Sequence, residues 1–220
     1  ATLTGSAGAD TLNASAATKA VTLNGGAGDD TLTVAGSNNT INGGDGKDAI
    51  TAGNGNNTIA GGAGNDTITV GTGANTITAG DGDDTVSVGA SAGLNAINVG
   101  AGTDTIELLA APSAAGFYSS VTGLGSGDMI DFSNLSAATE DPLGDKLSLG
   151  GATSFANYLD AAAAGAAGDV EWFQFGGNTY IVADVDGTTT FADGVDAVIE
   201  LVGLVDLSTA EVAGGVVTLA

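Results

Sequence analysis

The stretch GGAGNDTITVGTGANTITAGDGDDTVSV (residues 61–88) decides the fold. An acidic loop ends at Asp66, a neutral one at Asn75, and an acidic one again at Asp84. Turns alone would not require that alternation, and negative charge alone would not require the asparagine. Working outward, nine-residue units run without a gap from Gly25 to Ser87, starting at Gly25, Val34, Gly43, Ala52, Gly61, Val70 and Ala79. Two more follow, at Val88 (stretched by two residues) and at Val99, and two precede, at Gly5 and at Ala14, the latter also stretched.

Each unit pairs a six-residue turn, GGxGxD or xGxGxN, with a three-residue piece such as TIT, TLT or TVS. The middle residue of that piece is always aliphatic: Leu12, Leu23, Leu32, Ile41, Ile50, Ile59, Ile68, Ile77, Val86, Ile97 and Ile106. One aliphatic residue flanked by polar or small ones predicts a short strand with one side chain inward and two outward. The glycines permit positive φ and close backbone approach. One unit alone cannot bury its aliphatic residue, but stacked units build a dry ladder of Leu, Ile and Val. With 38 glycines the composition alone would also fit a flexible linker. A linker has no reason to hold an aliphatic residue in register every ninth position.

The alternation then acquires a geometry. Asp turns end at Asp10, Asp30, Asp48, Asp66, Asp84 and Asp104, and Asn turns end at Asn39, Asn57, Asn75 and Asn95. If two units make one coil of a flattened right-handed spiral, all Asp turns stack on one edge and all Asn turns on the other. Carboxylates about 4.8 Å apart repel one another unless cations lie between them. Stacked asparagines instead hydrogen-bond from coil to coil without an ion. The expectation is one calcium edge and one metal-free edge. An asparagine oxygen is also a calcium ligand, so weakly held ions on the second edge remain the alternative.

Charge and absences point the same way. Lys plus Arg number 3 against 26 Asp plus Glu, a net charge of -23, which repels nucleic acid and attracts cations. The chain has no Cys and no His, which excludes the usual zinc sites, Ser-His-Asp triads and Cys nucleophiles. Carboxylate, amide and carbonyl oxygens remain, and those suit calcium. No apolar run approaches the ~18 residues of a membrane span. The chain begins at Ala1 with no basic-plus-apolar leader, so a processed chain, a fragment or export without an N-terminal signal is expected.

GGAGDDTLT, GGDGKDAIT and GGAGNDTIT resemble the RTX nonapeptide, GGxGxDxUx, of proteins exported by bacterial type I secretion. The likeness covers residues 5–107. It implies an all-β chain: a parallel β-roll, with calcium between turns of one edge, held by Asp side chains and glycine-turn carbonyls. Carried onto this sequence, it places calcium at Asp10, Asp30, Asp48, Asp66, Asp84 and Asp104. The carbonyls come from Gly25, Gly26, Gly28, Gly43, Gly44, Gly46, Gly61, Gly62, Gly64, Gly80 and Gly82. Six turns leave about five gaps for ions of 6–8 oxygen ligands. The Asn edge departs from the pattern, and so does position one at Ala79 and Val99.

The period stops after Glu107, which divides the chain into a roll over 1–107 and a C-terminal region over 108–220. LLAAPSAAG (108–116) reads as the boundary. GSGDMIDFS (125–133) predicts a turn and a strand that bring Asp128, a further candidate calcium ligand, and Asp131 to the seam. Ser154 is expected to cap one short helix from Phe155, with Phe155, Tyr158, Leu159 and Ala162 on one face. VEWFQFGGNTYIVADV predicts a hairpin turning at Gly176-Gly177-Asn178, and 196–208 and 215–220 read as strands. Trp172, Phe173, Phe175 and Tyr180 are read as hairpin core and cap rather than as a ligand platform. Asp184, Asp186, Asp193 and Asp196 are read as a solvated loop rather than a further calcium site, and DVDG lacks the closing Glu of an EF-hand. GDMIDFS, WFQFGGNTYIV and GVDAVIELVGLVDLST resemble the C-terminal region of type I secreted RTX proteins, which implies an uncleaved secretion signal.

The expected function is a calcium-dependent structural module of an S-layer or adhesin, secreted and folding on extracellular calcium. The expected partners are calcium, the type I secretion machinery and a self-assembled lattice. The alternative is the carrier end of a secreted protease, lipase or toxin. No enzyme is expected within these residues, which offer no base-nucleophile pair.

Overall fold

The computed structural model describes residues 1–89, 94–109, 119–135, 147–149, 154–164, 169–185, 187–188, 190–191 and 196–220. Successive units form β1 (Thr2–Thr4), β2 (Thr11–Ala14), β3 (Thr22–Ala27), β4 (Thr31–Val34), β5 (Thr40–Asp45), β6 (Ala49–Ala52) and β7 (Thr58–Ala63). They continue as β8 (Thr67–Val70), β9 (Thr76–Asp81), β10 (Thr85–Val88), β11 (Ala96–Ala101), β12 (Thr105–Leu108), β13 (Ser119–Thr122) and β14 (Met129–Asp131). Odd strands stack in one sheet and even strands in the other, all parallel and in register. Two units therefore make one coil of a parallel β-solenoid. In the regular region Thr22, Thr40, Thr58 and Thr76 stand in one line up the first sheet. The two stretched units keep this register, with Leu12 beside Leu32 and Ile77 beside Ile97, so their extra residues fall in the Asn-edge turns.

The inward residues explain why this sequence stacks. Leu23, Ile41, Ile59, Ile77 and Ile97 face Leu32, Ile50, Ile68, Val86 and Ile106 across the interior, all at most 2 % exposed. Each such side chain contributes roughly 1.5–3 kcal/mol by leaving water. The strands are longer than the three residues expected, because the first residue of each following turn is also inward. On the second sheet Val34, Ala52, Val70, Val88 and Leu108 occupy that place and are buried. On the first sheet Gly25, Gly43 and Gly61 occupy it, followed higher up by Ala79 and Val99. The interior is thus filled by side chains beside the Asn edge and left open by glycine beside much of the Asp edge.

Both sheets continue past residue 108, where the nonapeptide period ends. The first sheet runs on through β17 (Ala197–Leu201), parallel to β13, and then the antiparallel pair β16 (Asn178–Ala183) and β15 (Val170–Phe175). The second adds β19 (Val216–Thr218), antiparallel to β14, and β18 (Glu211–Ala213). The expected hairpin turns at Gly176 (φ 61) and Gly177 (φ 94), as a two-residue loop requires. Helix α1 (Phe155–Ala162) starts at Ser154 in a capping box with Asn157. It covers Phe173 and Tyr180, and Phe155 and Tyr158 pack on those rings at centroid distances of 4.8–5.8 Å. These aromatics are core, and Trp172 faces the main interior. The reading of 196–208 as one strand is corrected: pairing stops at Leu201. Gly203 (φ 101) turns the chain away, and a second hairpin forms at Gly214 and Gly215.

One backbone position departs from its equivalents. The fourth residue of the Asn turns has positive φ at Gly55 (128) and Gly73 (127), and Ser37 takes the same conformation at φ 135. A side chain there costs on the order of 1–3 kcal/mol, partly offset by the freer unfolded chain of a glycine. Ser37→Gly is expected to stabilise the solenoid by about 1 kcal/mol, read as a higher urea midpoint in calcium.

Candidate metal centre

The Asp edge is a column of seven carboxylates. In the six above Asp10, one oxygen accepts from the backbone N–H of the Asp one coil below. Asp10 N–H donates to Asp30 Oδ1 at 2.7 Å, Asp30 to Asp48 at 2.8 Å, Asp48 to Asp66 at 2.8 Å and Asp66 to Asp84 at 2.8 Å. Asp84 donates to Asp104 at 2.9 Å and Asp104 to Asp128 at 2.8 Å. Asp128, expected at the seam as a further calcium ligand, is the top of the column. All members from Asp30 to Asp128 are buried to within 2 % exposure.

The second oxygens divide the column. Asp10 Oδ2 accepts from the backbone and hydroxyl of Ser6, and Asp128 Oδ2 accepts from Gly125 N–H at 2.6 Å. The two ends are therefore closed by donors of the chain itself. Between them, the Oδ2 atoms of Asp30, Asp48, Asp66, Asp84 and Asp104 are buried and accept no hydrogen bond. A buried carboxylate oxygen with no partner costs several kcal/mol unless a proton or a cation reaches it.

Glycine builds the space around these oxygens. Gly25, Gly43 and Gly61 fall in gaps of the ladder, where pairing passes from Asn24↔Asn42 to Gly26↔Gly44. A Cβ on Gly43 would strike both Asp48 Oδ2 and the Gly61 carbonyl oxygen, so those two oxygens converge beside the bare α-carbon. Gly25 has the same relation to Asp30 and Gly43, and Gly61 to Asp66 and Ala79. Gly26, Gly28, Gly44, Gly46, Gly62, Gly64, Gly80 and Gly82 all have positive φ. Their carbonyls stand against the glycine one coil above, Gly26 under Gly44 and Gly28 under Gly46. Among the described residues no three acidic side chains converge on one point. The donor set is instead one carboxylate per coil with backbone carbonyls around it, which suits a hard cation of high coordination number such as calcium.

Burial pushes the Asp66 carboxyl up to about 7, against the lowering hydrogen bond from Asp48 N–H and with the charges of Asp84 and Asp48 adding to the rise. Asp84 is pushed up to about 6 by burial first, then by Asp104, Asp83 and Asp81, with the Asp66 N–H opposing. Asp48 and Asp104 are raised by the same balance. Asp10 moves the other way because the Ser6 backbone and hydroxyl donate to it. Asp48, Asp66, Asp84 and Asp104 thus resist their own charge, whereas Asp10 accepts it readily.

The Asn edge carries the same spine without the conflict. Val21, Asn39, Asn57 and Asn75 each donate a backbone N–H at 3.0 Å to the Asn Oδ1 one coil above. Each Nδ2 then donates as well. Asn39 reaches Asn57 Oδ1, Ala35 O and Ser37 O at 3.1–3.2 Å, and Asn57 reaches Asn75 Oδ1, Gly53 O and Gly55 O at 3.1 Å. Asn75 reaches Asn95 Oδ1 at 3.0 Å, and Asn95 ends the ladder on the Ser119 hydroxyl at 3.1 Å. The two edges also differ in backbone. Gly26, Gly44, Gly62 and Gly80, second in their Asp turns, have positive φ, whereas Ala35, Gly53 and Gly71, second in Asn turns, do not.

Of the acidic loop in the C-terminal half, Asp186 and Asp193 lie outside the described residues. Asp184 and Asp196 are buried and accept from Gly187 N–H and Val185 N–H, so neither is a solvated side chain. No described helix is long and apolar enough to cross a membrane. A comparison with curated proteins finds no match. The family of the RTX calcium-binding nonapeptide repeat (4 copies) matches residues 2–17, 24–59 and 60–94. Those residues carry the turns from Asp10 to Asp84 on one edge and from Asn39 to Asn75 on the other, and these coils of the solenoid form an RTX β-roll of calcium-binding nonapeptide repeats.

Proposed function

We propose that this chain is a calcium-dependent structural module, the C-terminal part of an S-layer or adhesin exported by type I secretion, which folds on extracellular calcium. The observation that carries it is the row of five partnerless carboxylate oxygens between two closed ends. Asp30, Asp48, Asp66, Asp84 and Asp104 would hold about five ions, joined by carbonyls of the glycine turns. In a compartment poor in calcium the column repels itself and the chain stays extended; outside the cell, bound calcium supplies folding free energy. A surface role is favoured by the outer faces, whose Thr40, Asn42, Thr58, Thr76 and Thr78 are exposed in flat, regular rows. The module itself is not an enzyme in this reading. The alternative, a carrier for an upstream enzyme or toxin, shares the calcium chemistry but needs no lattice.

Negative-stain electron microscopy of the purified chain separates the two. Ordered sheets or filaments in millimolar calcium that vanish in chelator are the expected result. Monodisperse particles in calcium would move the assignment to the carrier.

A further inference from the structure

We infer that the side-chain amides of Asn39, Asn57, Asn75 and Asn95 stand, on their edge, where the other edge needs an ion. One atom at the sixth position of each repeat, nitrogen or oxygen, then decides whether that coil requires metal. This rests on the calcium reading above and goes beyond it in assigning the asparagines a role.

The two columns are superimposable in what they share. On both edges Oδ1 accepts from the backbone N–H of the coil below, at 2.7–2.9 Å for Asp and 3.0 Å for Asn. On both, the fourth residue of the turn has positive φ, and its carbonyl stands under the equivalent residue one coil above: Gly46 under Gly64, Gly55 under Gly73. That carbonyl is two residues before the sixth position, and on the Asn edge Nδ2 donates to it. Asp and Asn have the same shape, so the second side-chain atom of Asp48 or Asp66 also faces acceptors. These are the fourth-position carbonyl, the Oδ1 one coil above and, on this edge, the first-position carbonyl of Gly61 or Ala79. The last stands in place of the second-position carbonyl that Asn39 and Asn57 reach. With nitrogen there, two hydrogens satisfy the acceptors. With oxygen there, acceptors face acceptors, and the five orphaned oxygens are the result.

The upper end reverses the sign. Asp128 accepts N–H on both oxygens, from Asp104 and from Gly125. An amide there would set donor against donor whichever way it turned. Replacing Asp by Asn should therefore release the calcium requirement in the middle of the column and harm the fold at its upper end.

The test uses the full chain at pH 8, by far-UV circular dichroism and urea unfolding in chelator and in millimolar calcium, with calcium stoichiometry by native mass spectrometry. A variant carrying Asp30→Asn, Asp48→Asn, Asp66→Asn, Asp84→Asn and Asp104→Asn is expected to keep its strand spectrum in chelator. Its urea midpoint should be insensitive to calcium, and the bound ions of the parent should be lost. Asp66→Asn alone should lower the calcium concentration at which the strand spectrum appears and remove about one ion, whereas Asp128→Asn should raise that concentration and lower the urea midpoint in calcium. A fivefold variant that still needs calcium, or an Asp66→Asn that needs more calcium than the parent, would overturn the role given to the amides. A parent chain indifferent to chelator would instead overturn the calcium reading itself.

Discussion

In chelator at pH 8 the chain is expected to lose its strand spectrum, and millimolar calcium is expected to restore it. Neighbouring carboxylates about 4.8 Å apart repel by roughly 3 kcal/mol per pair at an effective dielectric constant of 20. Four such neighbours join the five interior residues, Asp30 to Asp104, in sequence along the column. A domain with about 5–15 kcal/mol of total stability cannot absorb that sum together with five orphaned oxygens. An ion present at a hundredfold excess over its dissociation constant returns about 2.7 kcal/mol. Several ions together decide whether the fold exists. The check is a calcium titration followed by circular dichroism, with urea midpoints at each concentration. A strand spectrum that survives chelator unchanged at pH 8 would contradict it.

Protons compete for the same oxygens. Asp66 and Asp84 are raised in the fold to about 7 and about 6, from an ordinary value near 3.8. The folded state therefore binds more protons than the unfolded one between about pH 4 and 7. The calcium-free roll gains stability on acidification, fully below the unfolded value, and loses it as pH rises through the folded values. A protonated Oδ2 is an O–H donor and satisfies the same acceptors as the asparagine Nδ2 does opposite. In chelator the strand spectrum should partly return at pH 5. In calcium, the midpoint of the titration should move to higher calcium between pH 7.5 and 5.5, with protons released on binding. An unchanged calcium midpoint across that range would show that these carboxylates do not hold the ion.

Much of this was legible because the signal repeats. The inward ladder from Leu12 to Ile106, the pairing of alternate units and the separation of Asp from Asn turns all follow from a fixed period with one variable at its sixth place. The closure of the column was not legible. Ser6 and Gly125 carry no mark of their role, since a hydroxyl and a backbone N–H become terminators only once Asp10 and Asp128 are placed beside them. Position one alternates as well over the regular coils, Gly25, Gly43 and Gly61 on the Asp edge against Val34, Ala52 and Val70 on the Asn edge, until Ala79 and Val99 break the pattern. Where it holds, glycine leaves room beside the carboxylate and valine supplies apolar contact. In the C-terminal half no period exists. There the hairpin and the helix cap were readable from local chemistry, while the return of β17 alongside β13 depends on pairing between residues 80 positions apart along the chain.

Gly62→Ala is expected to cost about 3–5 kcal/mol. Gly62 lies in the middle of the first sheet, paired with Gly44 below and Gly80 above, at φ 128. An L side chain pays for that φ alone on the order of 1–3 kcal/mol. The methyl would also fall on the Gly44 carbonyl oxygen and within 2.8 Å of its carbon, all backbone atoms that cannot turn aside. Relief requires the coils to separate, which loosens the neighbouring bond from Gly46 N–H to Ala63 O at 2.7 Å and the spine from Asp48 to Asp66. Two controls isolate the cause. Gly8→Ala meets nothing within 4 Å and should stay within about 0.5 kcal/mol of the parent. Gly61→Ala puts its methyl on Asp66 Oδ2 rather than only on backbone, at a position where Ala79 shows a methyl to be tolerated one coil higher. Its loss should therefore appear mainly as weaker calcium binding, with a smaller fall in stability at saturating calcium. Equal urea midpoints for Gly62→Ala and Gly8→Ala would mean that the coils do not approach as closely as the backbone places them.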